Sequence, residues 1–168
     1  MKIKHRYVLR NKEIKQLTKI LSSIFPNIYK AYLSENTISV EHVILDKAEI
    51  YIINGKPLII RLLDGTLFPT ISVLNEICDD LPKVFVDKGA LPHIINGADV
   101  MIPGIVKIEG NFNEGEIVQI LEINYNKIIA IGKALISSHT IHTLKNGKAF
   151  KNIHYVGDKL WEIIKTLN

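Results

Sequence analysis

Two imidazoles three residues apart, His139 and His142, come closest in this sequence to a metal-binding motif. A helix can turn such a pair toward one ion, but the surrounding residues read as strand or loop, where the spacing does not converge. No second cysteine and no obvious carboxylate completes a site, so no metal is expected. The one cysteine, Cys78, precedes Asp79 and Asp80, and neighbouring acids raise a thiol's pKa rather than activate it. The acidic pairs Asp79–Asp80 and Glu114/Glu116 read as helix-end and turn charge, not as an acid–base dyad. The sequence lacks a P-loop, a GxGxxG fingerprint and a GxSxG elbow, and Gly110 to Gly115 (GNFNEG) is a plain hairpin loop. Neither an enzyme nor a cofactor is expected.

What remains is charge. Lysine and arginine number 21 against 17 acids, a net +4, and the imbalance is local. Residues 1–30 hold eight bases against Glu13 alone, a net +7, while the other 138 residues sum to −3. A basic end on a mildly acidic body suits a phosphate backbone, and equally a solvated basic helix face. The elements that must carry these charges can be traced from their periodicity. Asn11 caps a helix from Lys12, with Ile14, Leu17, Leu21 and Ile24 on one stripe and Lys12, Lys15 and Lys19 to the side, and Pro26 ends it. Thirty isoleucines and only 12 aromatics favour a β-branched, strand-built core. Short strands are predicted at 38–45, 48–53 and 58–63, with a hairpin at Asn54-Gly55, a turn at Asp64-Gly65 and a short helix from Pro69 to Asp80.

A boundary falls near Leu81–Pro82, giving domains 1–82 and 83–168. It has no Gly/Ser linker, so the halves should pack on each other. Beyond it, KVFV forms a strand, ALPHII a short helix ending near Asn96-Gly97, and strands follow at about 100–102, 105–110, 116–123, 127–136 and 153–156. A helix from Asp158 to Leu167 closes the chain. Many short strands with regular turns suggest a small barrel. No apolar run approaches the ~20 residues of a membrane span, and MKIKHRYVLR is not a secretory signal. A soluble, cytoplasmic protein without membrane contact is expected.

Three ordered blocks go further: VDKGALPHIINGADVMIPGI (86–105), IAIGKALIS (129–137) with Gly132-Lys133-Ala134 at its centre, and NGKAFKNIHYVGDKLW (146–161). Together they resemble the PUA domain over about half the chain. The first half, with its basic start and RNKEIKQL helix, resembles the pre-PUA domain, so the whole looks like the pre-PUA/PUA proteins. Their eukaryotic members include the malignant T-cell-amplified protein and ligatin. The resemblance implies an α+β fold: a small N-terminal α/β pre-PUA domain packed on a C-terminal PUA pseudo-β-barrel.

It also implies a non-enzymatic RNA-binding role in the translation apparatus, on the small ribosomal subunit or at the tRNA acceptor end, during initiation or recycling. A separate density-regulated-protein-like partner fits the same resemblance. By that resemblance Gly97, Ala98, Asp99, Val100, Met101, Pro103 and Gly104 line the RNA-facing edge with Gly89. Lys88, Lys133 and Lys148 are nearby candidates for phosphate contacts, and Lys12, Lys15 and Lys19 are candidates for ribosomal RNA. The glycines either admit a close backbone or serve only their turns. Met101 and Ile102 either support an unstacked base or belong to the core. His154, Tyr155 and Trp161 read as packing residues. Ala149 stands where many relatives carry glycine. Two other readings stay open: an accessory presenting tRNA or rRNA to a separate RNA-modifying catalyst, and a protein-interaction adaptor.

Overall fold

The RNKEIKQL segment folds as a helix, α1, from Asn11 to Ile24. It starts one residue earlier than expected: Asn11 is already helical, and the Glu13 carboxylate accepts the Arg10 backbone N–H at 2.9 Å, satisfying a donor that the first turn cannot. Leu17 and Leu21 are buried, but Ile24, expected on the same stripe, is 45% exposed. Pro26 does not end the helical region. It opens a second helix, α2 (Pro26–Tyr32), because a residue without an N–H loses nothing at a helix start. The structure is a computed structural model and describes residues 1–34, 38–77 and 81–167. Cys78 and the Asp79–Asp80 pair lie outside the described residues.

The chain divides into two units, Met1–Asp80 with Ile163–Asn168, and Leu81–Glu162. The first is built on an antiparallel sheet of order β1-β2-β3-β4-β5: β1 (Ile3–Val8), β2 (Val40–Leu45), β3 (Ala48–Ile53), β4 (Lys56–Leu62) and β5 (Leu67–Pro69). The Asn54-Gly55 hairpin has φ of 49° and 82°, the left-handed pair that a two-residue turn needs. The basic start, left unassigned in the sequence, is the edge strand β1, and β5 is likewise new. Thr70 caps the following helix, α3 (Ile71–Glu76). One network ties four of the strands together. Glu49 accepts hydrogen bonds from Arg61 Nη2 at 3.0 Å and Tyr51 Oη at 3.2 Å and pairs with His42 Nε2 at 2.9 Å, while Tyr7 Oη meets His42 Nδ1 at 3.0 Å. Burial pushes the Tyr51 hydroxyl up to about 12, so it stays a donor at any ordinary pH.

The second unit holds β6 (Lys83–Val86), α4 (Leu91–Ile94), β7 (Val100–Met101), β8 (Ile105–Glu109), β9 (Ile117–Glu122), β10 (Lys127–Ala134), α5 (Ser138–Ile141) and β11 (Lys148–Tyr155), and α6 (Lys159–Leu167) follows. Its six strands run β7-β11-β10-β9-β6-β8, with β6 and β9 parallel. β7 and β8 occupy opposite edges, yet only a 3₁₀ turn, Ile102–Gly104, separates them. A flat sheet of six strands would hold its edges about 24 Å apart, and that turn spans at most about 14 Å. The sheet must therefore roll into a half-barrel. Val84, Val86, Ile120, Phe112 and Phe150 fill it, the two phenylalanine rings meeting edge to face at 5.3 Å.

This packing explains the middle block. A Cβ on Gly132 would sit 2.8 Å from Ile120 Cδ1 and 3.1 Å from Phe150 Cβ, so a larger residue there would force the Ile120 side chain to move. Ala149 is fully buried in the same cluster. Two expectations are corrected. His139 lies on the short helix α5 and His142 caps it, because Ser137 accepts the Thr140 N–H and starts a helical turn. Even so, no group of three or more metal-ligating side chains occurs among the described residues. The closing strand begins at Lys148, not 153, so half of the third block is β11. No helix among the described residues is long and apolar enough to cross a membrane.

Candidate nucleic-acid interface

On the second unit a cavity of about 770 Å³ opens beside α4. The loop after β6 forms one wall. Asp87 Oδ1 accepts the Ala90 N–H at 2.7 Å, which turns the chain into α4, and the Asp87 N–H donates to the Gly104 carbonyl at 3.0 Å. The far end of α4 forms another wall: Gly97 takes φ +91°, where a side chain would be strained, and the Ala98 N–H returns to the His93 carbonyl at 3.0 Å. Gly104 admits the closest approach, since a Cβ there would lie 3.0 Å from the Ala90 Cβ.

Asn152 holds these walls together from behind. Its Nδ2 donates to the Ile94 and Ala98 carbonyls at 2.9 and 3.0 Å, and its backbone N–H donates to Asp99 Oδ1 at 3.0 Å. The other Asp99 oxygen takes Lys148 Nζ at 3.0 Å. Burial opposes ionisation of Asp99, but the Asn152 N–H and the Lys148 ammonium outweigh it, and the carboxyl lies below its usual range. Asp99 is thus committed to its own neighbours and steers Lys148, whose side chain remains 61% exposed at the rim.

Gly89, Gly97, Ala98, Asp99, Val100, Met101, Pro103, Gly104 and Lys148 all line this cavity. Lys88 and Lys133 do not: Lys88 is exposed on the preceding loop, and Lys133 is half-buried on β10 opposite Ile117 and Lys151. Val100, expected to support a base, points its side chain into the core at 1% exposure and contributes only floor. Alternation along the strand then turns Met101 outward at 45% exposure, and Ile102 returns to the core. The sequence reading missed Asp87, Ala90 and Asn152. Asn152 had a signal: it lies two residues beyond Phe150 on the face of β11 that Gly132 and Ala134 share, where a polar residue must serve buried backbone. Placing the strand's start at 153 hid that alternation.

An apolar floor with a cation at the rim suits one unstacked base whose phosphate lies outside, because two carboxylates in the walls repel a phosphate placed within. Replacing Asn152 with alanine should leave the Ile94 and Ala98 carbonyls without their side-chain donor, while the backbone N–H that Asp99 accepts is kept. The expected loss is about 2 kcal/mol in urea unfolding, with amide exchange accelerated over 94–101. An unchanged midpoint would show that Asn152 does not brace the cavity. Elsewhere, Lys12, Lys15 and Lys19 are all exposed on α1 and share one face, at spacings of three and four.

Residues 82–156 match the PUA domain family and residues 1–77 the Pre-PUA-like domain family. An uncharacterized protein of Methanocaldococcus jannaschii is 37% identical over 96% of this chain and 98% of its own length. The Saccharomyces cerevisiae translation machinery-associated protein 20 is 30% identical over 69% of this chain and 67% of its own. The chain belongs to the pre-PUA/PUA family. A crystal structure of an Aeropyrum pernix PUA-domain protein, 29% identical, superposes with a TM-score of 0.81 over 96% of this chain and 91% of that one. The α+β architecture is therefore that of the pre-PUA/PUA proteins, and the rolled second sheet is their PUA half-barrel. In this pre-PUA/PUA chain the cavity falls inside the matched PUA segment, and α1 inside the matched Pre-PUA-like segment.

Proposed function

We propose that this chain is a non-enzymatic RNA-binding protein of the translation apparatus, acting in the cytoplasm. Residues 83–168 hold the single-stranded acceptor end of a tRNA, and residues 1–82 dock on the small ribosomal subunit. The cavity carries this reading: its apolar floor takes a base, and Lys148, oriented by Asp99, meets the adjoining phosphate. Lys88, outside the cavity, extends the phosphate track, and Lys12, Lys15 and Lys19 face ribosomal RNA. Support from outside the structure comes from a relative whose name ties it to the translation machinery.

The test is binding of tRNA with and without its 3′ single strand across a salt series. Trimming should weaken binding, and with Lys88 and Lys148 engaged the log–log salt slope should be about −1.4. Equal affinity for both forms would reduce the interaction to general backbone attraction, and no binding to either would remove tRNA from the reading.

A further inference from the structure

The hairpin tip between β9 and β10 exposes an aromatic ring on a turn that is already rigid. Tyr125 is 77% exposed, the most open of the large hydrophobic side chains described. Beneath it Glu122, only 2% exposed, accepts the Asn124 and Tyr125 backbone N–H groups at 3.0 and 2.9 Å and the Asn124 side-chain amide at 2.6 Å. Asn126 then takes φ +54°, a conformation asparagine tolerates, and its N–H closes on the Glu122 carbonyl at 3.0 Å. A buried carboxylate and three donors are spent on fixing a loop whose outward product is a single ring.

The surroundings of that ring point to a ligand. Lys127 is exposed and pairs in register with Glu122, and Val86 pairs with Glu122 on the parallel strands β6 and β9, so the loop carrying the exposed Lys88 and the hairpin tip leave the sheet at the same end. The Ile123 N–H donates to the Val86 carbonyl at 3.1 Å, so the tip is stitched to the residue before Asp87, where the cavity wall begins. An exposed ring at a sheet end that also carries two exposed lysines, next to the loop that begins the cavity wall, has the makings of a stacking platform: a base face on the tyrosine and phosphates on the lysines.

We propose that Tyr125, with Lys88 and Lys127 at the same sheet end, is a second RNA contact that stacks an unpaired base adjacent to the one in the cavity. This rests on the RNA-binding reading above. It gives Lys88 a place that the cavity denies it, and it extends the bound single strand beyond one nucleotide.

The experiment titrates the full chain with short single-stranded RNAs carrying 2-aminopurine at successive positions, comparing the unaltered protein with Tyr125→Ala and Tyr125→Phe. Two positions should quench on binding to the unaltered protein, one of them lost in Tyr125→Ala with about a tenfold fall in affinity, while Tyr125→Phe stays within about twofold. Binding by the unaltered protein with Tyr125→Ala indistinguishable from it would overturn the tip and leave the cavity standing. Equal loss in Tyr125→Phe would replace stacking by a hydroxyl contact and overturn the proposal as stated. No binding by the unaltered protein would instead defeat the RNA-binding reading itself. Because the ring is open to solvent, neither variant should change the thermal unfolding of the protein.

Discussion

A chain carrying Lys12→Glu, Lys15→Glu and Lys19→Glu should fail to co-sediment with small ribosomal subunits at salt concentrations where the unaltered chain is retained. The change moves the net charge by six units on one helix face, from attraction to repulsion of phosphate. Its effect on the fold should be small. All three side chains are exposed, the helix is anchored by Leu17 and Leu21, and its first turn is closed by Glu13. An acid at position 12 also suits the positive end of the helix. If the three lysines each meet a phosphate, the salt dependence of any residual binding should flatten by about 2 in log–log slope. Retention equal to the unaltered chain would remove α1 from the docking surface.

The second large effect is expected in stability. Asp158 sits just after Gly157, which takes φ +92°, and at the start of α6. Its oxygens accept the Trp161 N–H at 2.7 Å and the Tyr155 N–H at 3.1 Å, and one of them meets Nδ1 of the fully buried His154 at 2.8 Å. Asp158→Ala removes a helix cap and a partner for a buried ring together, so a loss of about 3 kcal/mol is expected in urea unfolding. Burial alone would raise the Asp158 pKa, but the His154 interaction and the two backbone N–H groups outweigh it and the net shift is downward. A carboxyl with a depressed folded pKa contributes its stability in full above the unfolded value. That contribution is lost as pH falls below about 3.8 and through the folded value. Asp158→Asn should flatten this acid limb of the stability curve. A variant with the same midpoint and the same acid limb would show the carboxylate to be dispensable.

The fold was legible where local chemistry agreed with the tertiary outcome. Asn54-Gly55 demanded a two-residue hairpin and formed one, and the helical stripe through Leu17 and Leu21 was buried as its spacing required. It was illegible where neighbours decided. The β1 segment holds too many charges to look like a strand, and it is one because β2 offers it a ladder and Glu41 pairs with Arg6 at 2.7 Å. Pro26 reads as a stop in isolation and is a start in context.

The stretch 97–104 was singled out by its resemblance to the PUA domain, and its residues, Ile102 excepted, line the cavity. The back wall of the cavity was not singled out. Asn152 comes from 48 residues beyond Gly104, and a contact at that separation leaves no local periodicity to read. Nor did the motif distinguish Val100 from Met101. That choice belongs to the pleat of β7, fixed by its pairing with Phe150 and Lys148.

The short link from Ile102 to Gly104 joins the two free margins of the rolled sheet, and the cavity sits on that seam. A hoop fastened at one point cannot loosen there without springing open along its whole length. Amides at the fastening, such as Ile102 on the Gly147 carbonyl and Asp87 on that of Gly104, should therefore exchange only when the entire half-barrel unfolds. A nucleotide bound on the seam as proposed would meet walls already held by backbone hydrogen bonds. Its occupancy would register as added resistance of the half-barrel to heat, growing with ligand concentration, rather than as a change of shape.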